Sequence, residues 1–301
     1  MKIELLMIYR YILHIVIIKM SIIIQKINSE TLDWNKINNC NLDKDSDDID
    51  AQNKDYRTET KKTHLLNYAN LINYPVKFTY EFTIQEINYL KEACHVGIIT
   101  GNWPSIYKEE IDEVLERLKI NWIEGQYFIR FDSASPKDGT VEFPITNPES
   151  VIMALITSKR ALTSLNIGYN KLYFMDYDPD FDNRKEVRVF VKSNKVTCIS
   201  QYDSYRSGYF NQFTDENLTT ITKNIVNEVE NNLIPLISNN IKTTDFTVDY
   251  LVKRDLSIKI IELNSFGYWL SAGSCLFSWK TDREIMYDKE NKQNVYFRIL
   301  V

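Results

Sequence analysis

Glu262 and Asn264 stand two residues apart in the run I-K-I-I-E-L-N-S-F-G. In a strand, side chains two apart leave the same face, so both polar groups point one way while Ile261 and Leu263 pack behind. The preceding run, F-T-V-D-Y-L-V, leads into a polar turn around Arg254 and Asp255, which makes the two runs a hairpin. With Arg254 to Ser257 as a four-residue loop, Lys253 pairs with Ile258 and Asp249 falls opposite Glu262. Two facing carboxylates repel, and each costs several kcal/mol to desolvate unless a cation or a proton intervenes. Oxygen donors with no histidine or thiolate nearby suit Mg2+, which takes a couple of carboxylates and completes its shell with water and nucleotide phosphates. The alternative is a solvated sheet face, to which acids set among Val, Ile and Phe are ill suited. Asp249, Glu262 and Asn264 are therefore the expected metal set.

Arg188 follows Glu186 by two residues in E-V-R-V-F-V-K, so these two share a face while Val187, Val189 and Val191 take the other. An arginine facing inward needs an anion, and two partners suit it equally: one of the acids just named, or a phosphate gripped by the guanidinium fork. Arg130 ends the strand Y-F-I-R-F immediately before D-S-A-S-P-K-D-G. Small residues there, Ser135 among them, with Pro136 and Gly139, let backbone amides approach an anion closely, so the loop reads as a cover for a nucleotide. Lys137 in that loop is equally at home as a solvated surface charge.

The composition narrows the field around these groups. A chain of 301 residues, 44% hydrophobic and 26% charged, buries a core and exceeds one minimal domain, so two packed subdomains are expected. A net charge of -5 argues against broad nucleic-acid binding. The three histidines (His14, His64 and His95) all fall in the first third, which disfavours Ser-His-Asp hydrolysis and histidine-rich metal sites. Cys40, Cys94, Cys198 and Cys275 are far apart and form no C-x-x-C pair, so they read as structural thiols in a reducing compartment; Cys94 beside His95 is read as packing.

Several elements must position the candidate residues. Residues 1–24 are apolar but interrupted by Lys2, Glu4, Arg10, His14 and Lys19, so neither a spanning helix nor, lacking a small-residue cleavage site, a signal peptide is expected; Met20 offers an alternative start. Residues 35–63 are polar and read as a flexible linker, with structure starting near Leu65. Thr83 and Glu86 make a capping box for a short helix. Ile106, Ile111, Val114, Leu115 and Leu118 line one face of a helix over 106–119. Asn147 and Pro148 open a helix to about Leu165. Strands are expected over 127–131, 171–177, 186–192 and 195–201, the last two joined by a tight turn at Ser193 and Asn194. A long helix over 215–234 is ended or kinked by Pro235.

This ordered set resembles the cell division cycle 123 (D123) family, eukaryotic proteins with an ATP-grasp fold, from about residue 70 to the end. The most specific piece is E-V-R-V-F-V-K-S-N-K-V-T-C-I-S-Q-Y-D at 186–203, similar to the family's E-F-R-C-F-V-K-x-N-K-L-x-x-I-S-Q. S-A-S-P-K-D at 133–138, D-Y-L-V at 249–252, I-I-E-L-N-S-F-G at 260–267 and L-F-S-W at 276–279 agree with it in order and spacing. The resemblance implies an α+β, ATP-grasp-like fold of two α/β subdomains with a nucleotide cleft between them. The chain then divides into 1–64, an apolar N-terminus and linker, 65–170, a subdomain with the nucleotide-covering loop, and 171–301, a subdomain with the metal hairpin.

The resemblance further implies that Asp249, Glu262 and Asn264 hold Mg2+ on ATP, that Arg188 meets phosphates, and that the strand around Tyr173 to Tyr177 borders adenine. Arg130 occupies the place of the family's nucleotide-binding lysine and Glu262 that of an aspartate; both keep their charge with a different reach. The nucleotide-binding set is thus Arg130, Ser135, Lys137, Tyr173, Tyr177 and Arg188. The function implied is that of an ATP-binding, chaperone-like factor, cytoplasmic and monomeric, that assembles eukaryotic translation initiation factor 2 (eIF2) by binding its gamma subunit. Two alternatives stand beside it: an ATP-grasp ligase that forms an acyl phosphate, with Arg188 on the transferring phosphoryl group, and a degenerate scaffold without nucleotide. No membrane or nucleic-acid partner is expected.

Overall fold

Alternating apolar and polar residues build two sheets, each with helices on one face. The computed structural model describes residues 21–32, 55–72, 75–206, 208–270, 272–288 and 294–301. In chain order these contain β1 (Ser21–Ile27), α1 (Tyr56–Lys62), α2 (Leu65–Tyr68), β2 (Phe78–Glu81), α3 (Ile84–Thr100), α4 (Lys108–Ile120), β3 (Tyr127–Phe131), α5 (Pro148–Ile156), α6 (Lys159–Asn166) and β4 (Lys171–Asp176). They continue with β5 (Glu186–Lys192), β6 (Lys195–Gln201), α7 (Asp215–Glu228), α8 (Ile234–Asn240), β7 (Phe246–Val252), β8 (Ile258–Ser265), α9 (Arg283–Met286) and β9 (Asn294–Leu300).

The first lobe is an antiparallel sheet in the order β2-β4-β3, packed against α3 to α6. The capping box at Thr83 is present, but the helix it opens is 17 residues long and ends at Gly101, whose φ of 68° a glycine adopts without strain. α4 buries Ile111, Val114, Leu115 and Leu118 as expected, whereas Ile106 lies in a 3-10 turn before the helix and is 74% exposed. Asn147 and Pro148 open α5, yet it stops at Ile156: Ser158 turns its hydroxyl to the Ala161 amide and caps a second helix, α6. β4 begins at Lys171 and pairs with β2 and β3, so the chain passes from one sheet to the other between Asp176 and Glu186 rather than at residue 170.

The second lobe is a mixed sheet in the order β1-β9-β6-β5-β7-β8, in which β9 runs parallel to β1 and β6 and the other pairs are antiparallel. Ser193 and Asn194 make the expected tight turn, with φ of 51° and 62°. Val187, Val189, Val191 and Val248 turn to α7 and α8, and Phe190 with Phe266, Phe277 and Trp279 covers part of the opposite face. Pro235 does not end the helical run. Residues Val229–Leu233 wind as a π-turn ahead of it, and the chain continues as α8.

Structure does not start at Leu65. Ser21–Ile27 is the edge strand beside β9, and Tyr56–Lys62 is a helix capped by the Asp55 side chain. A short apolar run cannot announce its own pairing partner, and here the partner is the last strand of the chain. Residues 1–20 and 33–54, with Cys40 and most of the expected linker, lie outside the described residues. Cys94 and Cys198 are buried free thiols, and burial pushes the Cys94 pKa up to about 12. Among the described residues no helix is long and apolar enough to cross a membrane.

α3 crosses α5 at Gly97, where an added Cβ would stand 2.5 Å from the Ile156 carbonyl oxygen. Gly to Ala inside a free helix stabilises by roughly 1 kcal/mol, but a backbone carbonyl cannot swing aside as a side chain can. Gly97→Ala is therefore expected to lower unfolding stability by about 1–3 kcal/mol in urea titrations; an unchanged or raised midpoint would refute the tight crossing.

Candidate functional site

The β7–β8 hairpin delivers Asp249 opposite Glu262, by a route different from the expected one. Val252, not Lys253, pairs with Ile258, and a bulge between Asp249 and Tyr250 then restores the register. On its other side β7 pairs with β5, which sets Arg188 opposite Asp249. Arg188 donates through Nε to Asp249 Oδ1 at 2.8 Å and through Nη2 to Oδ2 at 2.7 Å. Its Nη1 donates to the Gly273 carbonyl at 3.1 Å, an approach that a side chain at Gly273 would crowd. Of the two partners open to Arg188, the structure holds the acid.

Glu262 is met from the other lobe. Arg130, at the end of β3, donates through Nη1 to Glu262 Oε2 at 3.1 Å and to the Tyr68 hydroxyl at 3.3 Å, and through Nε to the Phe131 carbonyl at 3.2 Å. Asn264 Nδ2 bridges the acids, 3.1 Å from Asp249 Oδ2 and 3.3 Å from Glu262 Oε1. The facing carboxylates are thus neutralised here by two arginines, one from each lobe. The cation that their repulsion calls for is thus already supplied by the chain itself, through the sheet register and the lobe contact.

The environment divides these groups. Burial pushes Asp249, which is fully buried, above the usual carboxylate range against the pull of Arg188. Burial also opposes the Arg188 charge, yet the Asp249 carboxylate overrides it and holds Arg188 well above its ordinary value. For Glu262 burial works upward, but Lys137, Arg130 and Arg188 outweigh it and bring the carboxyl down to about 2. Glu186, on the Arg188 face, is 1% exposed and its Oε1 has no hydrogen-bond partner among the described residues; burial, then Asp249 and Glu262, raise it well above the usual range. Desolvation also opposes the Lys137 ammonium, but Glu262, then Tyr202 and Glu186, raise its pKa, and its Nζ stands over the Tyr202 ring at 5.6 Å.

The donor set fits a hard cation. Asn264 Nδ2 lies where an Asp249 and a Glu262 oxygen converge, and turning that amide over brings Oδ1 to the same point, giving three oxygens. Among the described residues no group of three or more His, Cys, Asp or Glu is arranged to hold a metal ion, so the amide oxygen is needed as the third donor. The expected nucleotide residues divide. Lys137 and Arg188 join the cluster, and Tyr173 pairs in register with Arg130 and is buried beside it. Ser135 is buried and donates its hydroxyl back to the Ile129 carbonyl at 3.0 Å, so it pins its own loop. Asp138 pins the same loop by accepting from the Ser158 hydroxyl and the Arg160 amide. Tyr177 lies just past β4, half-buried, its amide bonded to the Gln126 carbonyl.

With this geometry in view, a family model described as D123 matches residues 169–301. The D123 resemblance holds over that C-terminal part of the chain. The curated Translation initiation factor eIF2 assembly protein of Candida albicans is 24% identical over 188 residues, 56% of this chain and 51% of the relative. The chain thus spans about half the length of the curated relative it matches. Cdc123 from Schizosaccharomyces pombe aligns with a TM-score of 0.56 at 18% identity, covering 81% of this chain and 97% of that one. Its C-terminally truncated form aligns equally well, at 17% identity over 82% and 98% of the two chains. At such identity the likeness is one of fold, and the α+β architecture expected of the D123 resemblance holds.

Three further residues, Glu186, Tyr202 and Tyr68, join the cluster. Glu186 was visible as sharing the Arg188 face, and its two-residue spacing was the available signal. Tyr202, whose ring lies under the Arg188 guanidinium at 4.9 Å, and Tyr68 carry no pattern, since each reaches the site only through tertiary packing.

The depressed Glu262 value has a sign that can be tested. A carboxyl more acidic folded than unfolded adds stability above the unfolded pKa and loses it as pH falls through the folded one. Between pH 4.5 and about 2, wild type should therefore lose on the order of 3 kcal/mol more than Glu262→Gln, the linkage expected of such a difference. Parallel acid limbs in urea unfolding of the two proteins would contradict this electrostatic account.

Proposed function

We propose that this protein binds ATP with Mg2+ between its two lobes and serves as an assembly factor for eIF2, acting through the gamma subunit. The observation that carries the nucleotide half is the gathering of buried Arg130, Arg188 and Asp249 with half-buried Glu262 and Asn264, and with Lys137 at the exposed side, where β3 meets the β7–β8 hairpin. The assembly half is supported by the Candida albicans relative, whose name is that of an eIF2 assembly protein.

In this reading Asp249, Glu262 and the Asn264 amide oxygen hold Mg2+, which supplies the positive charge that lets a polyphosphate lie against carboxylates. Arg130, Lys137 and Arg188 attract and orient the phosphates, the two arginines by planar forks and Lys137 as a mobile point charge. Tyr173, beside Arg130, offers an aromatic edge to the adenine. Because Arg130 and Glu262 come from different lobes, a ligand that binds both favours one relative position of the lobes, to the extent of its preference for that state. The reading puts the work of the protein in the cytoplasm, as a monomer.

Calorimetry with ATP and Mg2+ on wild type and Asp249→Ala tests the site: saturable heat in wild type and an affinity at least about tenfold weaker in the variant, a difference of roughly 1.4 kcal/mol, are expected. Equal heats in the two proteins would remove the proposed site. Capture of eIF2 gamma by the full chain without ADP release supports the assembly role. Steady ADP release with a small carboxylate would instead establish a ligase.

A further inference from the structure

Tyr202 meets two of the cations that the nucleotide reading assigns to phosphate. Its amide donates to the Glu186 carbonyl at 3.0 Å, which carries the β5–β6 pairing one residue past Val187 and Gln201. Ser200, two residues earlier, pairs with Arg188, so Tyr202 keeps the Arg188 face of the sheet. Buried Gln201 pins the turn that follows: its Nε2 donates to the Asp203 and Arg206 carbonyls, each at 2.7 Å, and its Oε1 accepts from the Leu300 amide at 3.1 Å. The ring therefore stands on a fixed backbone.

The two cations reach this ring differently. The Arg188 guanidinium lies 4.9 Å from its centroid and is locked by both Asp249 oxygens and the Gly273 carbonyl. The Lys137 ammonium arrives from the other lobe, at 5.6 Å. Lys137 is exposed and makes no hydrogen bond or ion pair among the described residues, so the ring face is the contact it makes there. The Tyr202 hydroxyl likewise bonds no group among the described residues, which leaves the ring as the part in use. Two positive charges brought together repel, and a shared ring attracts both. That attraction persists over a range of positions within about 6 Å of the centroid, so Lys137 can follow a phosphate without breaking a hydrogen bond.

We propose that Tyr202 is the aromatic platform that presents Lys137 beside Arg188 to a polyphosphate. It acts as a positioning residue: the ring draws Lys137 from the loop after β3 onto the second lobe, and phosphate then meets a mobile ammonium and a fixed guanidinium together. The inference rests on the nucleotide reading and adds to it the residue that joins the covering loop to the sheet. Because the platform serves charge, its effect belongs to the phosphate chain rather than to adenine.

Calorimetry of the full chain with Mg2+ and either inorganic tripolyphosphate or ATP reads the platform without and with the base. Tyr202→Leu should bind both ligands about tenfold more weakly than wild type, and Tyr202→Phe within about twofold of it, since the ring and not the hydroxyl attracts the cations. The Tyr202→Leu, Lys137→Ala double variant should bind at most about threefold more weakly than Lys137→Ala alone, because the platform acts largely through Lys137. Tyr202→Met, a more adaptable side chain equally without a ring, carries the test if Tyr202→Leu fails to fold by circular dichroism. Ringless variants that bind as tightly as wild type, Tyr202→Phe as weak as they are, or losses at Tyr202 and Lys137 that simply add would each overturn the platform and leave the nucleotide reading standing. Wild type that binds neither tripolyphosphate nor ATP overturns both.

Discussion

Asp249 and Glu262 face each other across the β7–β8 hairpin, and holding two carboxylates there, out of water, constrains everything around them. Each must have a cation within hydrogen-bond reach, because an uncompensated buried charge costs several kcal/mol even after the protein relaxes. The two cations come from different directions. Arg188 is supplied by the neighbouring strand, so that pair is fixed as soon as β5 and β7 align; Arg130 comes from the other lobe, so its pair exists only while the lobes are docked.

That difference gives the fold its logic. The second lobe builds one half of the site from a continuous sheet whose opposite face is anchored by Val187, Val189, Val191 and Val248 against α7 and α8. The first lobe presents Arg130 from the end of a short strand, with the Phe131 carbonyl and Tyr68 steadying the guanidinium. Tyr68 belongs to α2, which follows the helix that packs on β8, so the segment joining the lobes also sets the geometry of the site. The loop after β3 is pinned by Ser135 and Asp138, which leaves the long Lys137 side chain as the adaptable part.

The family likeness and the geometry speak to different questions. The likeness to Cdc123 is a likeness of fold, and the curated relative is matched over about half its length. The charged cluster is a property of this chain's own residues. Arg130 and Glu262 bond to each other across the lobes. A guanidinium and a glutamate span between the lobes what shorter groups would reach differently.

Local pattern was enough for much of this molecule. The capping box at Thr83, the turn at Ser193 and Asn194, the strands at 127–131 and 186–192 and the common face of Glu262 and Asn264 follow from steric preferences that act within a few residues. Even the Asp249–Glu262 pairing was legible, although the loop was one residue longer than expected and a bulge had to absorb the difference. Only the tertiary structure decided who neutralises whom. Whether Arg188 meets an acid or a phosphate, that Arg130 crosses to Glu262, that Tyr202 lies under two cations and that residues 21–27 pair with the last strand all depend on contacts between segments far apart in the chain. Side-chain periodicity carries the direction in which a group points, but the partner it finds there is set by how separately formed elements pack, and that information is not local.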